Sequence, residues 1–402
     1  MTELKSKRES GILAGCFVLD LAQLITGPWC ASMLGDLGAE VIKIEAPRRG
    51  EALRQIGPFI EGESILFLSV NRNKRALTLD LSQEEGRAIL ERLMARADVF
   101  IQNFRPDIRQ AYEVEYDRVR AVKPDIIYLS VSAFGEDGPY RLKPGTDHVF
   151  QGLSGLMSVS GHPGQGPLRV GVPAADMTAA LYSCLGVLSA LYHRQATGEG
   201  QEIRINLLDA AMCLQQTTIT EYLVSGREPE PTGNSSPFAS PVGMFPTADG
   251  YLNVSAFNNK FWRALCRALE SEELLGDPLF RTPEERLSRR DELEAILSER
   301  FASGTTSQWL ERLEAADVPC GPVHNYASLV TDPQVKANNL IRELPHAGLG
   351  SVRTLGQPLA FSASSVQEKS GAPRLGEHSD EILIELGYSA SDIINLHEQG
   401  II

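Results

Sequence analysis

The feature that most constrains this chain is a series of short apolar, β-branched runs alternating with helical stretches. FVLDL (17–21) leads through Gly27-Pro28 into the apolar WCASMLGDLG and then VIKIE (41–45). ALTLDL (76–81) opens a second round, with Ser82 placed to cap a helix and Glu85 to close its capping box. DVFIQNF (98–104), a short helix over DRVRAV and DIIYLSVSAF (125–134) complete the series. Apolar strands joined through helices belong to a parallel sheet covered on both faces, so the first 135 residues read as a doubly wound α/β unit.

Beyond it, GEDGPYRLKPGTD (135–147) and the glycine-rich 154–171 read as loops lining a cleft. MTAALYSCLGVLSALYHRQ (177–195) is an apolar helix, and EIRINLLDAAMCLQ (202–215) a strand running into another helix. SGREPEPTGNSSPFASP (225–241) marks the clearest change of composition and reads as a linker. YLNVSAF (251–257) and helices near 260–270, 283–301 and 305–316 predict a smaller mixed domain, and the helical GEHSDEILIELGYSASDIINLHEQG ends the sequence.

The 402 residues suffice for two or three domain equivalents. Lys plus Arg number 38 against 52 Asp plus Glu, and the resulting charge of −14 argues against a nucleic-acid partner. Six cysteines at 16, 30, 184, 213, 266 and 320 form neither a close pair nor a metal-ligand cluster. The polar N-terminus MTELKSKRES and the lack of eighteen consecutive apolar residues predict neither a signal peptide nor a membrane span. A cytoplasmic enzyme without metal or tightly bound cofactor is therefore the expectation.

Among groups that carry chemistry, Glu45 ends a strand where dinucleotide folds place an acid on ribose, yet AQLITGPWC contains no G-x-G-x-x-G. Gly35 and Gly38 read as close-packing and helix-end residues. GHPGQGPLRVG lacks the ending of a nucleotide loop, and neither Ser154 nor Ser160 lies in G-x-S-x-G. His148 and His162 occupy loops without metal spacing, and His193 sits near a helix C-terminus. Asp176 stands at the start of the apolar helix, where free amides favour its charge. It reads either as an ordinary helix-start residue or as a nucleophilic carboxylate able to attack an activated acyl carbon.

LDLAQLITGPWCASMLGDLGAEVIKIE, NRNKRALTLDL, ADVFIQNFRP, GTDHVFQGLSG, GVPAADMTAALY, the stretch from Gly198 to Asp209, and GEHSDEILIELGYS, taken in order, resemble the class III coenzyme A-transferases. That family includes carnitine, formyl-oxalate and succinyl-dicarboxylate transferases and the related acyl-CoA racemases, and the resemblance spans nearly the whole chain. It implies Asp176 as nucleophile, forming an anhydride and then an aspartyl-CoA thioester, with coenzyme A and acyl-CoA as substrates. It also implies coenzyme A contacts at Ile25, Thr26, Arg72, Lys74, Arg75, Asn103 and Phe104. Arg169 is a candidate for the acceptor carboxylate.

Three departures narrow the activity. Ile25-Thr26 replaces the Gln-Ala of the formyl-oxalate enzymes, GNSSPFASP lacks their four glycines, and Thr146 replaces the histidine of the racemases' Gly-His-Asp. The expected reaction is transfer of coenzyme A from an acyl-CoA, with succinyl-CoA the favoured donor, to a small carboxylic or dicarboxylic acid. An acyl-CoA racemase or isomerase and a nonenzymatic acyl-CoA-binding relative are the alternatives. The resemblance further implies an interlocked homodimer. Each chain is expected to build a Rossmann-like large domain (1–224), a small domain with its linker (225–330) and a return to the large domain (331–402).

Overall fold

The computed structural model describes residues 11–402, and the polar segment MTELKSKRES lies outside them. The chain divides into two compact units. Of the described residues, the larger comprises 11–156, 170–224 and 338–402, and the smaller 157–169 and 225–337. The glycine-rich 157–169, which the sequence reading kept with the large domain, belongs to the smaller unit.

The larger unit is built on six parallel strands: β1 (Phe17–Asp20), β2 (Glu40–Glu45), β3 (Arg75–Thr78), β4 (Val99–Gln102), β5 (Ile127–Ser132) and β6 (Gln201–Asn206). Their order is β3-β2-β1-β4-β5-β6. The parallel α/β architecture read from the apolar runs is thus present. Alternate strand residues divide between two cores, as a pleat buried on both faces requires. Leu19, Ile42, Phe100 and Tyr128 enter one, joined by Ile382, Leu383, Ile393 and Leu396 from the C-terminal helices. Val18, Val41, Ile101 and Leu129 enter the other, against helices α1 (Thr26–Asp36) and α2 (Ala174–Thr197).

Chain order reverses between β1 and β4, the topological switch point where ligands collect beyond the carboxyl ends of the strands. Helix α1 begins immediately after the β1 turn, where the chain doubles back so closely that a Cβ on Gly27 would lie 2.2 Å from the Ala22 methyl carbon. Gly38 ends the helical segment at a φ of +102°, a conformation natural to glycine.

One expected cap is different. Ser82 does not cap the helix Glu84–Met94, because Asp80 two residues upstream accepts from the Ser82 amide and hydroxyl at 3.0 and 2.6 Å. Such a local carboxylate turn competes directly with a serine cap.

Among the described helices α2 is long and apolar enough to cross a membrane. Here it serves as a core helix, with Ala175, Ala179, Ala180 and Val187 fully buried, while Leu181, Leu185 and Tyr192 on the same helix remain 58–77% exposed. The smaller unit carries a three-stranded antiparallel sheet, β7 (Val242–Pro246), β8 (Tyr251–Ser255) and β9 (Cys320–Pro322), over its own core of Trp262, Leu297, Phe301 and Leu313. The six cysteines are unpaired.

Candidate active site

A cavity of about 290 Å³ opens at the switch point of the larger unit. The turn after β1 contributes Gln23–Thr26, the end of β4 contributes Asn103–Arg105, and the loop after β5 contributes Gly135, Glu136 and Arg141–Thr146. Asp176 in the first turn of α2 completes it. The geometry therefore brings together five of the sequence-derived site residues: Ile25, Thr26, Asn103, Phe104 and Asp176.

The Asp176 carboxylate is anchored at one oxygen. Thr26, buried at the start of α1, donates its hydroxyl to Asp176 Oδ1 at 2.9 Å, and Asp176 Oδ2 makes no hydrogen bond to a described residue. Burial pushes the Asp176 pKa up from 3.8 to about 6, opposed by the Thr26 hydrogen bond and assisted by the Asp147 charge. Asp147 opens a short helix, α3 (Asp147–Leu153), and accepts from the Ala175 amide at 2.8 Å. Its other oxygen accepts from Gln151, which also donates to the Val172 carbonyl and accepts from the Val170 amide. These contacts pin the loop entering α2 and fix Asp176 against the turn that carries Thr26.

Asn103 is a tie between loops. Its carbonyl oxygen accepts from the Gln23 amide at 2.9 Å and its amide donates to the Gln23 carbonyl at 2.8 Å, so both ends of the side chain are engaged. Phe104 packs edge-on against Tyr112 at 5.5 Å.

Arg72, Lys74 and Arg75 are not on the cavity lining, for a clear electrostatic reason. Arg72 is buried and forks onto Asp36 at 3.1 and 2.5 Å. Lys74, only 3% exposed, donates to Asp20, Asn71 and the Pro28 carbonyl at 2.6–2.8 Å. Burial, with repulsion from Lys43, lowers the Lys74 pKa to about 8 despite the attraction of Asp20. Arg75 pairs with Glu40, Glu381 and Glu385 at the surface. Arg169 is exposed in the smaller unit and likewise absent from the lining.

The cavity's positive charge comes instead from residues the sequence reading passed over. Arg105, Arg109, Arg141 and Lys143 line it against two acids, Glu136 and Asp176. Arg109 forks onto Glu136 at 3.0 and 2.7 Å. Arg141 and Lys143 form no ion pair with a described residue, and the Lys143 ammonium sits 3.7 Å from the centre of the Tyr140 ring. Their signal was present in the turn YRLKP, two cations in a loop beyond a parallel strand.

Other candidates resolve structurally. Glu45 is buried and held bidentately by Arg54 at 2.7 and 2.8 Å, which engages the carboxylate a ribose would need. Ser154 accepts from Gln215. His148 and His162 do not line the cavity. Among the described residues no group of three or more His, Cys, Asp or Glu side chains is placed to hold a metal ion.

Residues 13–379 match the family described as CoA-transferase family III. The chain is 35% identical over 393 residues to a succinate–glutarate CoA-transferase of Agrobacterium fabrum, covering 96% of this chain and 98% of that one. It is 35% identical over 392 residues to the human succinyl-CoA:glutarate CoA-transferase, covering 97% and 90%. The crystal structure of a CAIB/BAIF family protein from Brucella suis superposes with a TM-score of 0.86 at 35% identity, covering 94% of this chain and all of that one. A match this extensive, joined to a parallel sheet with a carboxylate at its switch point, makes the chain a member of CoA-transferase family III.

Proposed function

We propose that the enzyme moves coenzyme A from succinyl-CoA to a second dicarboxylic acid with Asp176 as the covalent nucleophile. The observation that carries this reading is the half-buried Asp176 carboxylate on the cavity wall, with Oδ1 held by Thr26 and Oδ2 without a partner among the described residues. Two curated relatives whose names specify succinate or succinyl-CoA with glutarate favour the donor and the acceptor class.

In this reading Asp176 attacks the donor carbonyl, the carbon–sulfur bond breaks, and the thiolate leaves an aspartyl-acyl anhydride. Thiolate then attacks the aspartyl carbonyl, releasing the donor acid and leaving an aspartyl-CoA thioester. An acceptor carboxylate oxygen attacks that thioester and expels thiolate, which attacks the acceptor carbonyl and regenerates the Asp176 carboxylate. A carboxylate suits these steps because its anhydride keeps the acyl group activated. The N-terminus of α1, which has no side-chain cap, supplies positive potential beside the developing oxyanion.

Arg105, Arg141 and Lys143 serve the phosphates of coenzyme A, with Phe104 as an apolar wall and Asn103 holding the turn behind Ile25 and Thr26. Thr146 at the racemases' histidine position and His148 off the cavity lining favour transfer over epimerisation. A homodimer is part of the proposal: Leu181, Leu185 and Tyr192 of α2, and separately Tyr222, Leu223 and Val224, are exposed apolar side chains that a second copy could cover.

Incubation with a panel of acyl-CoAs and free acids, with thioesters resolved by mass, tests the reading. Acceptor-dependent exchange with succinyl-CoA is expected, abolished in Asp176→Ala and Asp176→Asn. Undiminished exchange in both variants, or epimerised acyl-CoA formed without an added acid, would overturn it.

A further inference from the structure

The turn joining β1 to α1 is held by buried charged side chains that do not line the cavity. Lys43 donates to the Ala22 carbonyl at 2.8 Å, Lys74 to the Pro28 carbonyl at 2.7 Å, and Glu51 Oε2 accepts from the Leu24 amide at 2.6 Å. Glu51 is 3% exposed and itself fixed: its amide donates to Glu45 at 3.0 Å, and its Oε1 lies 3.2 Å from Lys43 Nζ. Leu24 adopts a φ of +66°, a left-handed conformation that a branched side chain resists and that persists only under external restraint. Two residues later Thr26 meets Asp176.

We propose that Glu51 is a positioning residue for the transfer reaction, its carboxylate holding Leu24 in the left-handed conformation and thereby setting the Thr26 hydroxyl on Asp176 Oδ1. This rests on the reading of Asp176 as the nucleophile. A charged acceptor suits the place because both neighbours of the carboxylate are donors, the Leu24 amide on one side and the Lys43 ammonium on the other. A glutamine there must turn its NH2 toward one of them, a donor facing a donor.

The readout is the acid limb of kcat/KM, which reports ionisation of the nucleophile in the free enzyme. Thr26 from α1 and Asp147 from α3 face Asp176, and Arg105, Arg109, Glu136, Arg141 and Lys143 line the same cavity. Lys43 and Glu45 from β2 and Asp20 from β1 face Glu51. Loss of the Thr26 hydrogen bond removes an interaction that favours the Asp176 carboxylate, so the limb moves to higher pH.

Glu51→Gln and Glu51→Asp are compared with Thr26→Val. The aspartate keeps the charge beside Lys43 but is too short to reach Leu24, and so serves if the glutamine variant does not fold. All three are expected to shift the limb upward alike; a shift of one unit lowers the ratio of kcat/KM at pH 6 to that at pH 8 about fivefold. Glu51→Asp in a Thr26→Val background should add no further shift. Leu24→Gly, free to keep a positive φ without restraint, should reduce the effect of the Glu51 substitution, and Leu24→Ala should not. Folded Glu51 variants that keep the parental limb, or that shift it equally without the Thr26 hydroxyl, overturn the proposal while leaving Asp176 in place. An active Asp176→Asn enzyme overturns both.

Discussion

The surroundings of the Asp176 carboxylate disfavour its charge. Its folded-state pKa of about 6 lies above the ordinary 3.8, so the group contributes fully to stability below the ordinary value, and that contribution is lost as pH rises through about 6. Asp176→Asn, which keeps the acceptor for Thr26, is therefore expected to be inactive yet more stable than the parent at pH 8, by on the order of 1–2 kcal/mol after allowance for partial solvation. The gain should vanish below pH 4 in thermal melts; an equal gain at both pH values would contradict the assigned desolvation. Cations at neighbouring positions divide sharply. Lys74→Ala leaves the buried Asp20 with one fewer counter-ion and should cost about 3–5 kcal/mol in denaturant unfolding. Arg141→Ala should leave unfolding unchanged and raise KM for acyl-CoA. Sequence could not separate these two classes, because nothing in NRNKR reveals that Asp36 and Asp20, more than thirty residues upstream, face Arg72 and Lys74.

At the scale of elements, strands were the legible part. Runs such as DIIYLSV are apolar on both faces, and only a doubly covered sheet accommodates them. The switch point follows from strand order, which the sequence does not state; the positions after β1 and β4 acquire meaning only when those strands become neighbours. Asp176 was legible as the first-turn acid of an apolar helix, but its anchor was not, since Thr26 lies 150 residues away. The start of α2 depends on a side chain from α3. Asp147→Ala removes the acceptor of the Ala175 amide and should lower stability by about 1–2 kcal/mol. Asp147→Asn keeps the acceptor for the Ala175 amide, turns its NH2 toward the Gln151 amide and removes a negative neighbour, so it should move the acid limb of kcat/KM to lower pH, opposite in sign to Thr26→Val.

At the scale of the whole molecule, a net charge of −14 coexists with a cavity whose lining is basic. If Arg105, Arg141 and Lys143 serve the phosphates as proposed, acyl-CoA binding should weaken with salt through these local cations despite the overall negative charge. The proposed homodimer, interlocked as the family resemblance implies, has its own consequence: light scattering should give twice the chain mass of 43.9 kDa, and dilution should not release monomers while the chains remain folded. Monomers appearing on simple dilution would exclude interlocking. The covalent role of Asp176 has the most direct test in oxygen transfer. With an acceptor acid carrying heavy oxygen in its carboxyl groups, the acceptor oxygen that attacks aspartyl-CoA remains on the enzyme when the new thioester departs. Mass analysis of the peptide containing Asp176 after turnover is expected to show heavy oxygen in that carboxyl group; complete coenzyme A exchange with no heavy oxygen in the protein would contradict Asp176 as the nucleophile.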